Sequence, residues 1–536
     1  MSPGGHRRLH MEADKDANVR EGRQAGAWTP HGKICRRMAH MARVSPAVLA
    51  ALALGGCVAG PDFQRPKPET PAAWSASAAG PESRASSQIL QQPEWWASFN
   101  DPVLTSLIER AASANSNLRL AALRIQEARA QRSIAGAAAW PSLNAAGSWQ
   151  GQRISENTPS GKLFGLAGDI PGVGNAPAAS LSNPYGQFQL GFDAVWELDL
   201  FGGVRRSIEA ADADAAAAVE DWRGVEVALF GEVARAYIDL RGAQLKRAVA
   251  MENLATARDL LRIAKRRRIL GLSSEIDVSR AAAQASLIEA QLPLLERQIV
   301  ADINELSRLI EREPGALRSE LEAAQPVPPV PPEIAVGLPA ELLCRRPDIR
   351  SAEKRLHAAT ARQGVAIADR FPRLTLTAVG GYQAQDLTNL LDWASRFGMI
   401  GPQLVAPLFD GGRRRAKVQV AKYRAEAAAV DYGRTVLNAL HEVDGALTAY
   451  AEEQKRRASI VQAVGQNRAA VRLARLRYEN GLDNVLGVLD AERTLHESES
   501  LQADSTTAVS VRLVALYKAL GGGWDGSTKV ANTCAD

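Results

Sequence analysis

Histidine, cysteine and clustered carboxylates are the side chains through which this 536-residue chain could do chemistry, and their spacing argues against catalysis. Beyond residue 56 only His357, His441 and His496 remain of the seven histidines, each in a helix-like stretch. His441 opens the string His-Glu-Val-Asp-Gly, which lacks the second histidine that would let two imidazoles on one helix face share a zinc ion. There is no phosphate-binding Gly-rich loop, no Gly-x-Ser-x-Gly elbow and no dinucleotide fingerprint. The four cysteines, Cys35, Cys57, Cys344 and Cys534, have neither the spacing of a zinc site nor that of a disulfide framework. The chain is therefore expected to be no enzyme, with no cofactor and no metal.

One cysteine stands in a context of its own. Arg36, Arg37 and Arg43 precede the apolar run from Ala47 to Leu54, and Gly55 and Gly56 lead into Cys57. A basic region, a short apolar region and small residues before a cleavage point make a secretory leader. With cysteine directly after Leu54-Gly55-Gly56 it resembles a bacterial lipoprotein signal, in which the thiol of Cys57 is acylated and becomes the new N-terminus. The apolar run is much shorter than the roughly 20 residues of a spanning helix. Residues 1–37 lie upstream of a complete signal and read as a start codon assigned too early. The leader holds 9 of the 64 Lys and Arg and 4 of the 59 Asp and Glu, so the remaining chain is formally neutral. The basic balance of the whole sequence is thus no argument for nucleic acid.

The elements that must carry the rest are repeated. Residues 118–143 align without gaps to 349–374, sharing Arg119/Arg350, Arg124/Arg355, Ala128/Ala359, Pro141/Pro372 and Leu143/Leu374. "LFGGVRR" at 200–206 matches "FDGGRRR" at 409–415, and "LGLSS" at 270–274 sits where "NGLDN" does at 480–484. One duplicated unit accounts for most of the chain. The expected organisation is a leader (1–56), an extended N-terminal segment (57–100), a first repeat (101–325), a Pro-rich connector (326–346), a second repeat (347–525) and a tail (526–536).

Within each repeat the hydrophobic period switches from two to the helical one. In "QFQLGFDAVWELDL", residues 187–200, Phe188, Leu190, Phe192, Ala194, Trp196, Leu198 and Leu200 share one face, and Gln187, Gln189, Asp193, Glu197 and Asp199 the other. An alternation of that length, at roughly 3.3 Å per residue, can cross a bilayer when tilted, and it also fits a half-buried soluble strand. Weaker alternations follow Pro141 and Pro372 and precede Phe409, giving four strands per chain. Four strands cannot close a barrel, so several copies must share one. Proline is absent between Pro184 and Pro293 and after Pro407. A helix from Gly203 to about Arg268 would reach roughly 100 Å. Gly271 and Gly481 mark the turns of two helical hairpins. The first return helix carries Leu292, Leu295, Ile299, Ile303, Leu306 and Ile310 at coiled-coil steps, with Pro293 expected to kink it one turn into that seam.

"CVAGPDFQRP" from 57, "LPAELLCRRPDIRSAE" at 338–353 and "LYKALGGGW" at 516–524 resemble the outer membrane efflux proteins of the TolC/OprM type, and within them the NodT-type lipoproteins. The resemblance covers about residues 57–525. It implies an α+β membrane protein, a trimer whose twelve strands form one outer-membrane β-barrel continued by a long periplasmic α-helical coiled-coil barrel. It also implies an exit duct serving a periplasmic adaptor and an inner-membrane transporter of the RND type. Cys344 stands where the family has Arg, and the family has Gly near Glu311.

The stretch "GLDNVLGVLDAER", 481–493, resembles the family's periplasmic aperture. The residues matching it are Leu486, Asp490 and Arg493, at i, i+4 and i+7 on one helix face. Three copies would give a leucine ring that dewets the constriction and a carboxylate ring that favours cations. Asp490 also fits a solvated helix residue paired with Arg493 or Arg280. The first repeat has Ile276, Arg280 and Ala283 there, and Gly487 stands where members with a second acidic ring have Asp. Gly271, Leu272 and Ser273, with Gly481, Leu482 and Asp483, resemble the adaptor-docking tips. They also fit ordinary helix turns. The alternative reading of the whole chain is a non-conducting coiled-coil lipoprotein or adaptor scaffold, which predicts neither membrane strands nor duplication.

Overall fold

A computed structural model of the chain describes residues 58–75, 94–155 and 184–524, with short pieces at 81, 84–86, 157–159 and 162. Cys57, the leader and the last twelve residues lie outside them. The alternating stretch of the first repeat becomes β3 (Tyr185–Leu198), paired on one side with β2 (Ser142–Gln152) and on the other with β5 (Arg373–Ala384), which pairs in turn with β6 (Arg396–Val405). All three pairings are antiparallel, and the register sets Asn144 opposite Asp193 and Glu197 opposite Thr375. One face of the sheet is polar: Asn144 Nδ2 donates to Asp193 Oδ2 at 3.0 Å beside Gln189, Glu197, Thr375 and Thr377. The other presents Leu143, Phe192 and Ile400, 69%, 59% and 74% exposed. An apolar face so open to its surroundings suits hydrocarbon. Among the described residues the outer edges of β2 and β6 are unpaired, so a barrel needs neighbouring copies to close it.

Helices carry the remainder. Two of them, α3 (Gly203–Ile269) and α7 (Arg413–Glu479), each run 67 residues, about 100 Å at 1.5 Å per residue. Near the sheet they lie beside α2 (Ser116–Ala137) and α6 (Pro347–Ala368), in the order α2, α3, α6, α7. Farther away α3 is flanked by α4 (Glu275–Glu289) and α5 (Leu292–Leu309) and by α8 (Val485–Ala519), which packs along α7. The expected kink is instead a break. The chain leaves helix at Ala290 and Gln291, and Pro293 falls in the first turn of α5, where its missing N–H has no bond to lose. The second repeat has no proline there, and α8 runs uninterrupted for 35 residues. Among the described residues no helix is long and apolar enough to cross a membrane.

The core lies midway along the long helices. There Trp95, Phe99 and, from α1 (Pro102–Ala114), Leu104 and Ile108 pack on Phe230 and Tyr237 of α3 and on Leu513 and Tyr517 of α8. The connector is more than extended chain: β4 (Glu333–Ala335) pairs in parallel with β1 (Arg84–Ser86), and a helical turn follows at Leu342–Arg345. Cys344 in that turn is disulfide-bonded. Glu311, where the family has Gly nearby, adopts φ 55°, and its carboxylate accepts the backbone N–H of Ser116 at 3.1 Å.

The N-terminal segment lies along α3 and α6 as a strap. Ala59 N donates to Phe201 O at 2.9 Å, Arg206 reaches Asp62 at 2.5 Å, and Phe63 stacks on His357 with centroids 4.4 Å apart. Gly60 and Gly364 touch backbone to backbone. A Cβ on Gly60 would sit 2.6 Å from the Gly364 Cα, so neither position tolerates a side chain without moving the strap.

Candidate functional site

The end of the molecule farthest from the sheet is made by the two hairpin turns, and local chemistry builds them alike. α3 ends when Gly271 takes φ +75°, letting Leu272 N reach back to Arg267 O at 2.8 Å; α7 ends when Gly481 takes φ +72°, with Leu482 N bonded to Arg477 O at 2.9 Å. Both are glycine C-caps of the Schellman kind. α4 then starts on a capping box, Ser274 Oγ accepting from Asp277 N and Asp277 Oδ2 from Ser274 N, and these bonds hold the Asp277 carboxyl below its usual range. α8 starts on Asn484, whose Oδ1 accepts from Leu486 N at 3.1 Å and Gly487 N at 3.3 Å. Three residues thus form each tip: Gly271, Leu272 and Ser273 in one, Gly481, Leu482 and Asp483 in the other. Leu272 and Leu482 are 63% and 69% exposed.

In the first turn of α8 Leu486 is half exposed, and farther along Asp490 and Arg493 are open to solvent. The expected i, i+4, i+7 face is therefore present. Arg493 Nη2 donates to Asp490 Oδ1 at 2.9 Å and Nη1 to Glu497 Oε1 at 3.2 Å, and these carboxylates push the guanidinium pKa up. Within one chain Asp490 is thus paired with Arg493 rather than Arg280. Its charge is balanced locally, which weakens the field a ring of three would make. Ile276 of the first repeat is likewise exposed on α4, with Arg280 one turn on, where it faces the charge of Asp277.

Sequence reasoning missed what ties the two hairpins together. Arg267, last turn of α3, donates through Nη1 to Tyr478 O at 2.8 Å and stands 4.7 Å from the Tyr478 ring, so it caps the C-terminus of α7 while stacking on it. Arg475 of α7 donates through Nε to Glu492 of α8 at 2.9 Å and reaches Thr256 O of α3, joining three helices. Burial pushes the Glu492 carboxyl up against the pull of that arginine. Beneath, Leu260, Tyr478, Val485 and Val488 form a small buried cluster. His496 sits higher, Nδ1 2.9 Å from Asn253 Nδ2, with its pKa lowered by burial. An arginine run at the end of a helix, Arg266 to Arg268, was the available signal for the cap.

The family profile described as "Outer membrane efflux protein" matches residues 107–311 and 338–522. The chain is 33% identical over 486 residues to outer membrane protein OprJ of Pseudomonas aeruginosa, covering 89% of this chain and 95% of OprJ. It is 33% identical over 480 residues to the toluene efflux pump outer membrane protein TtgI of Pseudomonas putida, covering 89% and 97%. Among solved structures it is similar to the outer-membrane channel OprN, with TM-score 0.77 and 34% identity over 87% of this chain and 100% of that one.

Proposed function

The chain belongs to the outer membrane efflux protein family, a trimeric channel of the outer membrane that reaches into the periplasm, and from that premise we propose how its own residues anchor it, close it and dock it. The mature chain is anchored through an acylated Cys57. It is closed at rest by rings of Leu486 and Asp490, the latter paired with Arg493. An adaptor seated on Gly271, Leu272 and Ser273 and on Gly481, Leu482 and Asp483 opens it. The cargo arrives from an inner-membrane transporter of the RND type.

The observation that carries the docking and gating reading is the exposure of leucine at both glycine-capped tips, one turn from Leu486. Exposed leucines on rigid turns, rather than disordered loops, are what a partner helix can seat against. For the anchor, the support is the placement of Val58: its side chain lies where a Cβ on Gly202 would fall, four residues after β3 ends, beside the Phe201–Phe371 stack. The residue that follows Cys57 is thus fixed at the rim of the sheet, the level at which an acyl chain would enter the membrane.

Leu272→Asp/Leu482→Asp tests the docking. In cells lacking the native duct this variant is expected to lose drug resistance to the level of the deletion, while the purified trimer keeps wild-type conductance, because charged tips repel an apolar partner without touching the pore. Resistance equal to wild type would remove the tips from docking. The intact mass of the purified chain, read in the same preparation, reports the acyl chains on Cys57.

A further inference from the structure

Below the sheet, α2, α3, α6 and α7 together enclose a concave groove of about 890 Å³. The strap covers the opposite, convex side. On α6 it touches His357 and Gly364, whereas Arg362 and Ala366, two residues either side of Gly364, line the groove, as about 100° per residue requires. In a trimeric cylinder the concave side of a helical layer faces the axis, so the groove is lumenal and lies directly beneath the barrel.

Its charge is one-sided. Arg362, Arg413, Lys417 and Arg424 line it against two carboxylates, Asp214 and Asp369. Both carboxylates are engaged, Asp214 by Arg362 and Asp369 by Arg373. Arg413, Lys417 and Arg424 have no ion pair among the described residues. They fall at i, i+4 and i+11 on one stripe of α7, while Arg415 and Lys422 point the opposite way. Such a stripe repeated three times around an axis concentrates anions in the enclosed water, since walls of low dielectric focus the field into the lumen.

We infer that this stripe forms a lumenal collar that binds multivalent organic anions, so that the duct offers anionic solutes a resting site between the acid-bearing aperture and Asp193 and Glu197 of the barrel. The inference rests on the duct reading. Its ligand is a small solute carrying several sulfonate, carboxylate or phosphate groups, held by charge and released by salt rather than by shape.

The test uses the full trimer in neutral detergent and a trisulfonated pyrene dye, with binding read by fluorescence anisotropy. Wild type and Arg415→Gln/Lys422→Gln are expected to bind alike at low salt. Arg413→Gln/Lys417→Gln/Arg424→Gln is expected to bind about tenfold more weakly, and salt is expected to abolish the difference as the Debye length shrinks. Equal affinity of wild type and the triple variant, or loss of affinity in the opposite-stripe variant instead, overturns the collar. If the triple variant does not form trimers, Lys417→Gln alone, at an exposed position, must weaken binding about twofold for the collar to stand. Anisotropy reads the collar without conduction, so its failure is separable from a failure of the duct, which conductance reads.

Discussion

Leu486→Ser/Asp490→Ala is expected to turn a channel with rare, small openings into one that conducts steadily, with mean current in planar bilayers raised by at least about tenfold. Leu486 is half exposed on the first turn of α8, free to meet its two copies at the axis. In the proposed gate three leucines there would make a pore too apolar to hold a continuous water column. Serine restores wetting, and alanine removes the carboxylate that bonds Arg493 at 2.9 Å. The single variants are expected to separate the two effects. Leu486→Ser raises open probability, and Asp490→Ala mainly alters ion preference. Because Arg493 balances Asp490 in each chain, the wild-type preference for cations is expected to be modest and to fade with salt, since exposed pairs of this kind are screened. Equal conductance of wild type and the double variant would place the constriction elsewhere.

The second large effect concerns stability. Arg241 of α3 is 1% exposed and has no carboxylate beside it among the hydrogen bonds described: Nη1 donates to Gln244 Oε1 at 2.7 Å and to Ala323 O at 2.8 Å, with Leu321 O at 3.5 Å. Leu321 and Ala323 lie at the C-terminal end of the helical turn Arg318–Leu321, where free carbonyls gather partial negative charge. The guanidinium also stands 4.9 Å from the Tyr237 ring, whose hydroxyl donates to Asp101 and is pushed up to about 12 by burial. Arg241→Leu takes the donor from Ala323 O and Gln244 Oε1, while Gln244 Nε2 still holds Leu321 O, at the place where the segment leading into the connector is pinned to the long helix. It is expected to lose about 3 kcal/mol per chain, enough to lower the thermal midpoint of the trimer clearly. Arg241→Lys keeps the charge but loses the planar fork, and an intermediate midpoint is expected. A midpoint unchanged in Arg241→Leu would show that the connector is held by other contacts.

Legibility followed the range of the interactions. The strand at 187–200, the long helix from Gly203 and the turns at Gly271 and Gly481 were readable because each is decided by neighbours in sequence: a period of two, a proline-free stretch, a residue able to take positive φ. Pro293 was readable as a disturbance but not as a break, since whether a helix bends or restarts depends on what packs beside it, and α5 restarts against α3. The pairing of β1 with β4 joins segments some 250 residues apart, and three residues of strand in a proline-rich connector carry no period to detect.

The site divides in the same way. The helical face of Leu486, Asp490 and Arg493 follows from spacing, and so do the tips. The cap that Arg267 places on α7, the bridge from Arg475 to Glu492 and the buried Arg241 needed coordinates, because an arginine's partner 211, 17 or 82 residues away on another element is chosen by packing and not by local order.

By itself the sequence determined the duplication, the four strands, the two helical hairpins and the need for more than one copy, since periodicity and unsatisfied strand edges act locally and must be answered whatever the fold. Only the tertiary structure decided which faces look inward. The strap lies on one side of α3 and α6 and thereby leaves Arg413, Lys417 and Arg424 on the other, a choice made by the close contact of Gly60 with Gly364 and by Arg206 on Asp62, long-range contacts that no window of sequence contains.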